Sequence, residues 1–220
     1  MAKFDKFSVM EKIGATRMVP VFYNKDIDTA GKVAKACYDG GVRAFEFTNR
    51  GDFAHDIFAE LMIFVREYCP GMALGAGTVL DAPTAALYLQ YGADFIVSPC
   101  FNPEVARLCN RRGVPYCPGC ATVTEISTAQ EAGCDLVKVF PGDVLGQKFV
   151  KDVLAPMPWT RMMVSGGVSP EKDNLEGWFA AGAFCVGMGS KLFPKDLVEK
   201  EDWEGITAKC RETLETIVNL

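Results

Sequence analysis

Short apolar, β-branched runs alternate with amphipathic stretches from one end of this 220-residue chain to the other. The apolar runs read as strands at 18–24, 44–50, 73–79, 95–100, 115–120, 136–142, 161–167 and 184–190. Helical periodicity fills the gaps near 28–40, 52–68, 81–92, 102–112, 122–133, 146–155 and 170–181. A last helix is expected over roughly 201–218, and a short one near 7–15 precedes the first strand. Strand–helix alternation implies parallel pairing, with helices covering the sheet. Eight such units in this length predict an α/β fold: a (β/α)8 TIM barrel forming a single compact domain over 1–220, with a short N-terminal helix. Gly41, Gly92, Gly133 and Gly182 reinforce the pattern, each following a helix and opening strand 2, 4, 6 or 8, at spacings of 51, 41 and 49 residues. Glycine is the residue expected where a helix ends in a left-handed turn. An open doubly wound sheet is the alternative, but no G-x-G-x-x-G follows the first strand.

Composition narrows the function. Hydrophobic residues make up 49% of the chain, enough for one full core, and the net charge is −5 without a basic run. No nucleic-acid or anionic membrane partner is expected, and no apolar run of membrane-spanning length occurs. Residues 1–5 are too charged for a secretory signal. Nine cysteines, an odd number without a disulfide framework, fit free thiols in the cytoplasm.

Lys138 is the most informative residue, in the run Leu136-Val137-Lys138-Val139-Phe140-Pro141. Burial disfavours a charged ammonium, and a neutral lysine amine condenses with ketones to a Schiff base. The alternative is a lysine that snorkels to the strand end or pairs with a carboxylate. In Phe45-Glu46-Phe47-Thr48-Asn49-Arg50, strand alternation puts Glu46, Thr48 and Arg50 on one face and both phenylalanines on the other. The phenylalanines belong under the helices, so the polar face lines the barrel. A glutamate there is costly unless it is functional or held in an ion pair with Arg50 or Lys138. Small residues in Gly75-Ala76-Gly77-Thr78 leave space at the end of strand 3. Gly166-Gly167 and Gly187-Met188-Gly189-Ser190, after strands 7 and 8, offer clustered backbone N–H groups for a phosphate. Cys117-Pro118-Gly119-Cys120 has C-x-x-C spacing, but it ends a strand rather than opening a helix. With one histidine, His55, and no second C-x-x-C, no metal or cofactor is expected.

With these positions in place, the chain resembles the class I aldolases of the 2-keto-3-deoxy-6-phosphogluconate / 2-keto-4-hydroxyglutarate aldolase family. The matching segments are Val19-Pro20-Val21, Glu46 to Arg50, Gly75 to Leu80, Ser98-Pro99, Pro118-Gly119, Lys138 to Pro141, Gly166 to Pro170 and Gly187 to Ser190, in family order. The resemblance implies a trimeric, metal-independent barrel that cleaves a phosphorylated 2-keto acid to pyruvate and an aldehyde. Lys138 falls on the Schiff-base lysine and Glu46 on the general acid/base. Arg50 and Thr78 fall on the positions that hold the keto-acid carboxylate. Pro99, Phe140 and Ser165 join them along the substrate, and Gly166, Gly167, Gly189 and Ser190 fall at the phosphate end. The chain departs from the better-known members at Ser165, a threonine there; at Gly142-Asp143, where Ala-Glu is more usual; and at Asn49 and Cys100, where an apolar residue and a glycine are found. These departures bear on the aldehyde half and its stereochemistry and do not touch the Lys138/Glu46 pair. A phosphosugar isomerase using Glu46 without a covalent step, and a non-catalytic phosphosugar-binding protein, are the other functional classes.

Overall fold

A computed structural model describes residues 1–220. Eight parallel strands close into a barrel in sequence order: β1 (Met18–Phe22), β2 (Ala44–Thr48), β3 (Ala73–Gly77), β4 (Phe95–Ser98), β5 (Tyr116–Cys120), β6 (Val137–Val139), β7 (Met162–Ser165) and β8 (Cys185–Met188). The expected (β/α)8 barrel is therefore the observed fold. Closure is made by β1 against β8, with Met18 opposite Val186 and Pro20 opposite Met188. After α1 (Lys6–Thr16), the covering helices are α2 (Ile27–Asp39), α3 (Ala54–Tyr68), α4 (Ala82–Gln90), α5 (Pro103–Arg112), α6 (Val123–Glu131), α7 (Gly142–Leu154) and α8 (Lys172–Ala180). The short α9 (Lys195–Glu199) and the long α10 (Trp203–Val218) follow. No helix is long and apolar enough to cross a membrane.

Strand alternation divides the apolar residues between two cores. Phe45, Phe47, Leu74, Ile96, Val137 and Val164 point outward and pack under the helices in one cluster. Val19, Ala44, Ala73, Phe95, Cys117, Leu136, Met163 and Cys185 point inward and fill the lower barrel. Helix α1 seals the amino-terminal mouth by inserting Val9 and Ile13 into that inner cluster. Its approach is held by buried Asp94, whose carboxylate accepts the backbone N–H groups of Lys3, Phe4 and Leu74. With the bottom closed, the open space lies at the carboxyl ends of the strands, where barrels place their sites.

The four recurring glycines behave as their spacing predicts, with φ of +104° at Gly41, +95° at Gly92, +84° at Gly133 and +102° at Gly182. After each, the next N–H reaches back five residues, as from Val42 to the Cys37 carbonyl and from Ala93 to that of Tyr88. That pairing marks a Schellman turn, which releases the chain from the helix directly into the next strand.

Two segments differ from the sequence reading. The expected helix over 146–155 is the continuous part of α7, which begins earlier, at Gly142, and is interrupted at Gly146 (φ +76°). The carboxyl-terminal segment holds an additional short helix, α9, none of whose residues is buried, so no apolar period announces it.

Candidate active site

Strand β2 carries three buried interior-facing residues, Ala44, Glu46 and Thr48, and Arg50 follows at the exposed rim. Lys138 occupies the interior face of β6, across the barrel from Glu46. Its Nζ lies 3.9 Å from Glu46 Oε1, with the lysine 7% and the glutamate 1% exposed. The Lys138 ammonium position is also 5.3 Å from the centre of the Phe140 ring. Neither Glu46 carboxylate oxygen has a hydrogen-bond partner. Buried carboxylates are normally tied down by donors, so Glu46 is a proton acceptor left free inside an otherwise packed barrel. Its place depends on Gly77, in β3, because a Cβ there would collide with Glu46 Oε1.

A cavity of about 670 Å3 opens at the carboxyl ends of the strands; Lys138 and Glu46 are not among its lining residues, but Thr48, on the same face of β2 as Glu46, is. Arg50, Phe140, Ser165, Gly166, Gly167, Gly189 and Ser190 all line it, so seven of the expected residues converge on one space from β2, β6, β7 and β8. Ser165 is paired with Gly187 across β7 and β8. The Gly166 and Gly167 turn is left-handed, with φ of +97° and +72°. A Cβ at Gly167 would fall 2.6 Å from that of Asp143, so only glycine fits this corner.

Thr78 and Pro99 stand apart from the cavity lining. Thr78 follows β3 in the left-handed region (φ +59°), which is an outlier for a β-branched residue. Such strain persists where surrounding structure over-determines it and gathers at functional sites. Pro99 follows β4, and its carbonyl oxygen packs directly over Gly119, the register partner of Lys138. A small network holds that loop: the Ser98 hydroxyl donates to the Cys100 carbonyl at 2.6 Å and lies 2.5 Å from the Tyr116 hydroxyl, which accepts the Asn102 N–H.

Phe22, Tyr23, Thr48, Asp143, Lys191 and Phe193 also line the cavity, and the sequence assigned none of them a place in the site. Thr48 was legible as a neighbour of Glu46 on the same strand face. Asp143 sits in the first turn of α7 and Lys191 in the turn after β8, and the fold decides where each points. Asn49 also has an explanation, since its side chain accepts a hydrogen bond from the hydroxyl of buried Tyr88 at 2.9 Å. A hydrophobic residue at position 49 would leave that hydroxyl unpaired.

The cysteines take no part in redox chemistry of the C-x-x-C kind. Cys117 faces the inner cluster and Cys120 the outer one, because positions three apart on a strand point to opposite faces. All nine thiols are free. Burial, then neighbouring Cys185, pushes the Cys117 thiol well above its ordinary value, and burial pushes Cys120 to about 12. Neither is a reactive thiolate. His55 is half-buried near the start of α3, its Nε2 3.5 Å from Asp56 Oδ1.

Known proteins share this architecture and are similar in sequence. Residues 9–209 match the family model described as "Aldolase: KDPG and KHG aldolase". The 2-dehydro-3-deoxy-phosphogluconate aldolase of Treponema pallidum is 34% identical over 211 residues, covering 96% of this chain and 98% of that protein. The KHG/KDPG aldolase of Escherichia coli K12 is 32% identical over 200 residues, 90% of this chain and 91% of its own. Among solved structures, the KDPG aldolase of Legionella pneumophila, with pyruvate captured at low pH as a covalent carbinolamine intermediate, superposes with a TM-score of 0.83 at 25% identity. It covers 93% of this chain and 97% of its own. The 2-keto-3-deoxy-6-phosphogluconate aldolase of Zymomonas mobilis ZM4 with 3-phosphoglycerate gives 0.81 at 26%, covering 93% and 94%.

Proposed function

The chain belongs to the KDPG and KHG aldolase family, and from its site we propose a Schiff-base lyase that cleaves 2-keto-3-deoxy-6-phosphogluconate to pyruvate and glyceraldehyde 3-phosphate. The observation that carries this reading is the buried Lys138–Glu46 pair, 3.9 Å apart inside the barrel. Lys138 attacks the C2 ketone, and loss of water from the carbinolamine gives an iminium. The C3–C4 bond then breaks, its electron pair moving into the iminium to leave an enamine. Glu46 receives the proton of the C4 hydroxyl through a water and later returns it to C3. Hydrolysis releases pyruvate and regenerates the amine. The iminium is the electron sink, so the mechanism requires no Lewis acid.

The remaining residues bind and orient. Arg50 forms a bidentate pair with the keto-acid carboxylate, assisted by Thr78. Pro99 and Phe140 confine the pyruvate half, and Ser165 meets the substrate hydroxyls. Gly166, Gly167, Gly189 and Ser190 take the phosphate, whose binding energy orients the reacting carbons. A homotrimer acting in the cytoplasm is part of the proposal. Exposed Phe53, Leu80, Val123 and Val144 all lie where strands give way to loops and helix starts at the carboxyl end of the barrel, which suits contact between copies. Light scattering should return three times the 24.0 kDa of one chain, and a monomer at working concentration would remove this element.

Pyruvate release from 2-keto-3-deoxy-6-phosphogluconate, measured beside release from 2-keto-4-hydroxyglutarate, tests the substrate. A higher kcat/KM on the phosphorylated acid is expected. The second reading, cleavage of hydroxyglutarate to pyruvate and glyoxylate, rests on the relative named for both substrates and would be promoted by the opposite ranking. Cleavage of neither acid would return the chain to the isomerase or binding-protein classes.

A further inference from the structure

Thr48 is 1% exposed, shares the interior face of β2 with Glu46, and still reaches the cavity wall. Its register partner is Gly77, the same residue whose missing side chain makes room for the Glu46 carboxylate. The Thr48 hydroxyl and the Glu46 carboxylate therefore gather over one glycine, on the side of the cavity facing Lys138. No protein group hydrogen-bonds either Glu46 oxygen, and Thr48 and Glu46 do not bond each other. A carboxylate accepts only, whereas a threonine hydroxyl both donates and accepts. One water bridging the two satisfies both groups, and a water held at two points stays fixed.

We propose that Thr48 is a positioning residue, whose hydroxyl and the Glu46 carboxylate together hold the water that passes protons between Glu46 and the substrate. The inference rests on the aldolase reading and adds the group that fixes the relay. In the forward direction the C4 hydroxyl proton moves to this water, which gives a proton to Glu46 as the C3–C4 electron pair enters the iminium. In the pyruvate half-reaction, Glu46 takes a C3 proton from the iminium through the same water to form the enamine. A solvent proton then returns to C3 when the enamine reverts. Without the hydroxyl the water loses one of its anchors. Lys138 and its access to the ketone are untouched.

The test uses pyruvate alone and reads two steps separately: exchange of its methyl protons in D2O, followed by NMR, and borohydride capture at Lys138, followed by mass spectrometry. Thr48→Val should slow exchange about 10- to 100-fold, the range expected when a reacting group is misplaced by about an ångström, while capture stays within about threefold of wild type. In full turnover the loss should fall on kcat rather than KM. Thr48→Ser, which keeps the hydroxyl, should recover exchange to within about threefold. Thr48→Ala carries the same expectation as the valine variant and decides the matter if that variant does not fold. Exchange unaffected in both, or capture and exchange falling together, would overturn the Thr48 assignment alone. A wild-type protein that neither captures nor exchanges pyruvate would overturn the aldolase reading with it.

Discussion

Glu46 owes its position to a glycine. Gly77 leaves the volume that the carboxylate fills, so Gly77→Ala forces the two apart. Turnover in this variant should fall by about 10²-fold or more, since small displacements of a catalytic group have effects of that order. Near-normal kcat would mean that the carboxylate's place is unimportant. Glu46→Gln preserves the shape and removes the proton acceptor. It should still form some Schiff base with pyruvate while turnover drops about 10²–10⁴-fold, the usual contribution of general acid–base catalysis. Wild-type rates would reduce Glu46 to a structural partner of Lys138. At this scale the sequence was informative where a side chain contradicts its surroundings. A lysine in Leu136-Val137-Lys138-Val139 and a glutamate between Phe45 and Phe47 both stand out against apolar neighbours. The dependence on Gly77 was invisible, because Glu46 and Gly77 lie on different strands and meet only through register.

At the scale of elements, the amino-terminal helix closes the barrel and Asp94 holds it there. Asp94→Ala removes one acceptor from three backbone N–H groups. Leaving buried donors unpaired costs about 1–3 kcal/mol each, less where water reaches them. A loss of roughly 2–4 kcal/mol is expected in urea unfolding, and a loss below about 0.5 kcal/mol would deny the anchor its role. Burial raises the Asp94 pKa and outweighs the lowering by its three N–H donors. A raised carboxyl favours the protonated form in the native state. Its contribution is therefore fully present below the ordinary aspartate value and is lost as pH rises through the raised one. Asp94→Asn should remove that falling component from the pH profile of stability just above the aspartate range, and an unchanged slope would contradict it. Strand and helix order was legible because period-2 and period-3.6 patterns alternate cleanly. The ends were less so. Proline and glycine at 141–142 read as a strand terminus although α7 begins there, and Gly146 hides the first turn by breaking its continuity. Helix α9 is five residues long and only half-buries Leu197 and Val198, so it leaves no periodic trace.

At the scale of the whole molecule, closing the barrel gathers residues from 21 to 193 around one cavity, with the glycine turns in its lining, and brings Lys138 and Glu46 together inside the barrel. The two ends should be separable. Gly167→Val places a side chain against Asp143 in a left-handed turn. It should raise KM strongly for the phosphorylated acid and much less for hydroxyglutarate. Equal losses on both, in a variant folded by circular dichroism, would mean that these turns do not hold phosphate. Activity should also survive EDTA, since the iminium accepts the electron pair; loss in EDTA with recovery on adding a divalent ion would point to a metal-dependent mechanism. The convergence itself was partly legible, because strand ends in a barrel share one face, but the charged lining at Asp143, in the first turn of α7, and at Lys191, after β8, depends on how those segments leave their strands, which no local pattern encodes. The central claim is a covalent intermediate at one buried lysine. Borohydride added with pyruvate should inactivate the protein and leave a single reduced adduct at Lys138. An adduct at Lys151 or Lys191 with Lys138 unmodified, or full activity after treatment, would contradict it.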